Sequence, residues 1–144
     1  LQSNGCGIIM TEIKIAFPPN YEEIKKHFDI ENENVVFTYG NAIYNPKDLK
    51  LPNDLIVHEE VHIRQQGNKP TEWWMKYLND KDFRLSQEVE AYIEQYKYVK
   101  SLNIPTKIKE HFLEEISQIL SSKIYGNIIN YHQAHAIIRR GAKI

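Results

Sequence analysis

The chain has 144 residues, 42% of them hydrophobic and 26% charged, with a formal net charge of -1. That length allows one domain with a real core but not two of ordinary size, and the composition excludes general disorder. A nearly neutral chain gives no electrostatic case for nucleic acid or an anionic membrane as its main partner, and no apolar run is long enough to span a bilayer.

Met10 reads as the start of the domain, which spans 10–144 and leaves residues 1–9 as a tail or remnant. The single cysteine, Cys6, excludes an intrachain disulfide and fits a reducing compartment. Nothing around it has the basic and apolar regions of a secretory signal, so a cytoplasmic protein is expected. From Thr11 to Phe17, Ile13, Ile15 and Phe17 alternate with Glu12, Lys14 and Ala16, the period of a half-buried strand that Pro18-Pro19 ends. Asn20, with Glu23 three residues on, predicts a capping box opening a short helix through about Phe28. Asn34 to Tyr39, the turn residues Gly40-Asn41, and Ala42 to Tyr44 then predict a hairpin. Its edge could hold an extended peptide by main-chain hydrogen bonds, and an ordinary half-covered sheet edge accounts for it equally well.

The most informative stretch follows: His58-Glu59-Glu60-Val61-His62. Its flanks predict a helix over 53–66. Pro52 is tolerated at the start, Asn53 and Asp54 offer oxygens and negative charge to the first-turn amides, and Gly67 can close the helix. Four residues at about 100° each return His62 to the side of His58, so both imidazoles lean over one spot that suits a zinc ion. Glu59 is poorly placed to complete that coordination and well placed to take a proton from a metal-bound water. The competing reading is a buried amphipathic helix whose histidines are satisfied core or surface groups.

After a loop at Asn68-Lys69-Pro70, Thr71 is expected to cap a helix carrying Trp73, Trp74, Tyr77 and Leu78, with both tryptophans in the core. Asp82 to about Leu102 reads as a long helix with an apolar face and three acids, Glu88, Glu90 and Glu94. Pro105 and Thr106 open another helix through Leu120, and the chain turns near Tyr125-Gly126-Asn127. Asn130 caps a last helix that Gly141 closes. The fold class expected is α+β: a small N-terminal sheet of two or three strands, antiparallel in type, packed on the motif helix and followed by a mostly helical remainder.

A hydrolytic zinc normally has three protein ligands and a fourth position for water. Zincins with a His-x-x-Gly-x-x-His extension carry the third histidine six residues on. Here that position is Asn68 and the glycine is replaced by Gln65, which excludes that subclass. A donor from the helix after Asp82 remains, and spacing does not choose among its glutamates. Glu88 lies nearer the apolar face, whereas Glu90 lies on the other side with Gln87, Ala91 and Glu94.

The run from His58 to His62, followed 28 positions after His62 by Glu90-Ala91, resembles the gluzincin class of zinc metallopeptidases. More narrowly it is similar to the single-domain minigluzincins and related small phage and bacterial zincin-like proteins. The resemblance covers roughly residues 35 to 95 and implies that Glu90 is the third zinc ligand, since in those proteins a glutamate on a second helix, often followed by alanine, completes the site. Glu88 and Glu94 are then solvated or salt-bridging carboxylates. Glu60 departs from the pattern, occupying a position usually uncharged in active members. No signature marks the residue that would stabilise the oxyanion, and Tyr125, Tyr131, His132 and His135 are all chemically able. The implied activity is hydrolysis of a peptide or protein substrate, with zinc held by His58, His62 and Glu90 and with Glu59 as general base. Two alternatives stay open: a catalytically silent zinc-binding structural or interaction protein, and a metal-free structural protein such as a phage-related accessory.

Overall fold

The computed structural model describes residues 11–143; the expected tail over residues 1–9 and the domain start at Met10 lie outside the described residues. Among the described residues are six α-helices and a three-stranded sheet, an α+β arrangement. The hairpin forms as predicted. β2 (Phe37–Tyr39) pairs antiparallel with β3 (Ala42–Tyr44), and Gly40 in the connecting turn has φ of 64°. β1 (Glu12–Lys14) lies on the other side of β3 and runs parallel to it, so the sheet is mixed rather than antiparallel in type. A parallel neighbour needs a long crossover, and the segment that carries α1 (Tyr21–Lys25) between β1 and β2 supplies it.

Two N-terminal expectations are corrected. The chain bends after Lys14, and Ile13, Ile15 and Phe17 are 45%, 67% and 54% exposed. The alternation is real, but an edge strand of three residues gives its apolar side little to pack against. Asn20 does stand at the N-cap of α1, but its side chain makes no capping bond, and the helix ends at Lys25 rather than near Phe28.

The motif helix α2 runs Asn53–Gln66, the predicted bounds, and ends at Gly67 with φ of 55°. α3 (Pro70–Asn79) begins on Pro70, one residue ahead of the cap expected at Thr71. α4 (Lys81–Ser101) is capped by Asp80, whose carboxylate accepts from the amides of Asp82 and Phe83. α5 (Thr106–Leu120) and α6 (Tyr131–Gly141) follow, the latter with a complete Asn130–Gln133 capping box.

Two apolar clusters result. One joins the hairpin to α1 and α3 through Ile24, Phe37, Tyr44, Trp73, Trp74 and Leu78. The other joins α4, α5 and α6 through Tyr92, Tyr96, Leu113, Ile116, Leu120 and Ile138. α2 packs most extensively on α4, and the His58 and His62 side chains sit where that contact passes between the clusters. No described helix is long and apolar enough to cross a membrane.

Candidate metal centre

α2 presents His58, Glu59 and His62 on its buried side, all under a tenth exposed. α4 runs across them with Glu88, Ala91, Tyr92 and Gln95 buried, residues spaced at three, four and seven positions and therefore on one face. The consequence is a three-way convergence. His58 Nε2 lies 3.2 Å from Glu88 Oε1, His62 Nε2 lies 3.3 Å from Glu88 Oε2, and the two Nε2 atoms are 3.2 Å apart.

The carboxylate that joins the two histidines is therefore Glu88 and not Glu90. Two residues turn a helix through about 200°, so Glu90 points away from the face that Glu88 occupies. Glu90 is exposed and accepts a 2.7 Å hydrogen bond from Gln65 Nε2. Glu94 pairs with Lys97 at 3.2 Å. Glu60, the charged position within the motif, accepts from the Thr11 hydroxyl on the outer side of the helix.

His58, His62 and Glu88 form a buried group that can hold a metal ion. Its donor set is two imidazole nitrogens and a carboxylate. Tetrahedral bonds of about 2.0–2.1 Å place ligand atoms about 3.3–3.4 Å apart. The two Nε2 atoms are 3.2 Å apart, each faces a different Glu88 oxygen, and one donor atom from each of the three residues lies within 4.8 Å of the others.

Without a metal the same atoms form a charge pair. Burial alone would lower the His62 pKa, but the Glu88 carboxylate beside it overrides burial and pushes it up to about 9. Glu88 is likewise subject to burial, which would raise it, and is instead held well below the usual carboxylate range by His62 and by hydrogen bonds from both imidazoles. Tyr77 donates a 2.6 Å hydrogen bond to Glu88 Oε2. Burial, and then the Glu88 charge, push the Tyr77, Tyr92 and Tyr125 hydroxyls up, so each stays protonated and able to donate.

Glu59 lies in the same pocket, with Oε1 accepting from the Thr38 hydroxyl at 2.7 Å and Oε2 turned to within 3.8 Å of His58 Nε2. A cavity of about 90 Å³ reaches these groups. Thr38, Tyr77, Tyr125 and both tryptophans line it beside the donors, and Ile24, Phe28, Ile30 and Phe37 give it an apolar wall. The tryptophans are core residues and cavity walls at once, Trp73 bonding Gln87 and Trp74 bonding the Thr38 carbonyl. That carbonyl, on the side of β2 away from β3, also accepts from Gln66. The strand edge is thus covered at Thr38, as in the reading of an ordinary half-covered edge.

Of the four candidates for an oxyanion group, only Tyr125 lines the cavity, its hydroxyl 2.7 Å from that of Tyr92. Tyr131 and His135 pack on each other along α6, and His132 is exposed there. Tyr77, Thr38, Gln65 and Gln95 were not legible as site residues. Arg84 was missed too; its guanidinium donates to the Tyr77 and Tyr125 carbonyls and so ties α3 to the turn that carries Tyr125. Only the placement of Tyr77 about one turn after Trp73 and Trp74 on an aromatic helix face hinted at a polar tip in a buried place. Comparison with protein-family models, with curated proteins and with solved structures finds no match.

Proposed function

We propose that the protein is a zinc-dependent metallopeptidase of gluzincin type, in which His58, His62 and Glu88 hold the ion and Glu59 is the general base. One observation carries this reading: a buried, converging two-histidine, one-carboxylate donor set shares its cavity with a second, separately held carboxylate, that of Glu59. A structural zinc site would be closed by a fourth protein ligand, and His132 and His135, the first suspects for that role, lie on α6 away from the cavity lining.

When bound, zinc supplies Lewis-acid polarisation of the scissile carbonyl and acidifies a water. The division of labour among the chain's own groups follows from their bonds. Thr38 holds Glu59 Oε1, which leaves Oε2 to accept the proton of the attacking water and later pass it to the leaving amine. Tyr77 fixes the Glu88 carboxylate against rotation. Tyr125, which lines the cavity and keeps its hydroxyl protonated, is the first of the four candidates to test as the oxyanion donor. The apolar wall suits a nonpolar side chain flanking the scissile bond.

The decisive experiment measures zinc content and peptide hydrolysis together. Wild type and Glu59→Gln should each carry about one zinc per chain, with hydrolysis in wild type alone. Glu88→Ala should lose the metal. Wild type that takes up no zinc when it is supplied would sink the proposal, and zinc binding without hydrolysis across a peptide library would favour the silent zinc-binding alternative.

A further inference from the structure

Each imidazole of the metal centre is held from behind by a glutamine, and each glutamine is in turn held by a carboxylate. His58 Nδ1 is 3.0 Å from Gln95 Oε1, and Gln95 Nε2 donates to Asp54 Oδ2 at 2.8 Å. His62 Nδ1 is 2.7 Å from Gln65 Oε1, and Gln65 Nε2 donates to Glu90 Oε1 at 2.7 Å and to the Gln87 carbonyl at 3.0 Å. The direction of both relays is fixed by chemistry. An ionised carboxylate and a backbone carbonyl only accept, so the amide nitrogen of each glutamine must face them, and its oxygen must face the histidine. An oxygen there demands a hydrogen on Nδ1, so that when a metal replaces the Nε2 hydrogens that face Glu88, Nε2 is the bare nitrogen of the neutral ring. Both Nε2 atoms are the ones that converge with Glu88.

We infer that Asp54–Gln95 and Glu90–Gln65 are two positioning relays that set the tautomer and aim of His58 and His62 toward the metal. The inference rests on the metal-holding reading of the site and adds to it a role for four residues that touch no metal themselves. Glu90 then acts on the centre through Gln65, which gives the acid on the outer side of α4 a function without making it a ligand. The two relays also differ. Gln95 is buried and reaches one anchor, whereas Gln65 has two, so losing Glu90 still leaves it the Gln87 carbonyl.

Zinc dissociation constants by competition with a chromophoric chelator test this, alongside histidine tautomers by nitrogen-15 NMR with both rings neutral. Gln65→Met and Gln95→Met keep the side-chain volume and remove the acceptor. They should weaken zinc about 10- to 100-fold, the range for loss of an outer-shell partner, and should shift the affected ring from the Nδ1–H form toward a mixture. Glu90→Ala, an exposed substitution that leaves the fold intact, should sit near the tenfold end. Exchanging the pair, Gln65→Glu with Glu90→Gln, restores an acceptor to His62 and a donor to the new carboxylate but sets that carboxylate against the Gln87 carbonyl, and should recover part of the affinity lost in Gln65→Met. Unchanged affinity and tautomer in both methionine variants would overturn the relays, as would a swapped pair no better than Gln65→Met. Wild type that binds no zinc would instead defeat the metallopeptidase reading, with the relays still decided by the tautomers.

Discussion

His62 and Glu88 hold one another's charge in a place where burial opposes both. In the metal-free chain His62 is raised from its ordinary 6.5 to about 9, so its contribution to stability is fully present below pH 6.5 and fades as pH rises through about 9. Glu88 is lowered from its ordinary 4.5, so its contribution is present above pH 4.5 and is lost as the carboxylate is protonated on acidification. The two shifts describe one interaction, and the pair therefore stabilises most between pH 4.5 and 6.5. Denaturant titrations of metal-free wild type and Glu88→Gln should differ most in that window and converge as the pH passes about 9. Zinc binding at the proposed centre should have the opposite dependence. It must displace the proton on His62, so affinity should climb with pH up to about 9, with a proton released on binding that calorimetry in buffers of different ionisation enthalpy will register. A zinc affinity flat between pH 6.5 and 9 would contradict this assignment of the His62 proton.

At the scale of elements, α2 was legible to the residue because its start, motif and closing glycine all acted locally. The third donor was not, and Glu88 shows why. Periodicity placed Glu88 nearer the apolar face of α4, and the Glu90-Ala91 dipeptide pointed two residues further on, to the opposite side of the helix. Which side of a helix meets a partner is a tertiary fact, and in α4 both candidate sides carry polar groups: Glu88 and Gln95 buried against α2, Gln87 and Glu90 beside it. The exposed Ile13 and Ile15 failed for a related reason, since alternation reports a face and not whether anything covers it. Ala91, expected on the other side with Glu90, is instead fully buried between Glu88 and Gln95 on the face toward α2. That makes a prediction. Ala91→Leu forces added volume into the α2–α4 contact and should cost about 1–3 kcal/mol in metal-free stability by chemical denaturation. By separating His58 from Glu88 it should also weaken zinc, whereas Ala136→Leu, on the exposed side of α6, should change neither.

Across the whole molecule, the candidate metal centre is the polar seam between two apolar clusters. The hairpin side contributes Thr38, which holds Glu59, and α3 contributes Tyr77, which holds Glu88; on the other side, Tyr92 of the helical cluster packs on His58 with ring centroids 4.4 Å apart. An ion bound to His58 and His62 of α2 and Glu88 of α4 would cross-link the two halves at their junction. Removing it leaves charged groups buried with fewer partners, the situation in which a dry site is costly. Stability should therefore depend on zinc by mass action. At free zinc a thousandfold above the dissociation constant the gain is about 4 kcal/mol, and the thermal midpoint should rise with zinc and fall on chelation. Glu59→Gln should show the same dependence, because Glu59 contributes no donor to the converging triad. Glu88→Ala should show none. If chelation leaves the midpoint of wild type unmoved while zinc is demonstrably removed, the ion does not bridge α2 and α4. Two-phase melting of the metal-free chain, with aromatic signals from Trp73 and Trp74 lost separately from helical signal, would locate the weakened junction at this seam.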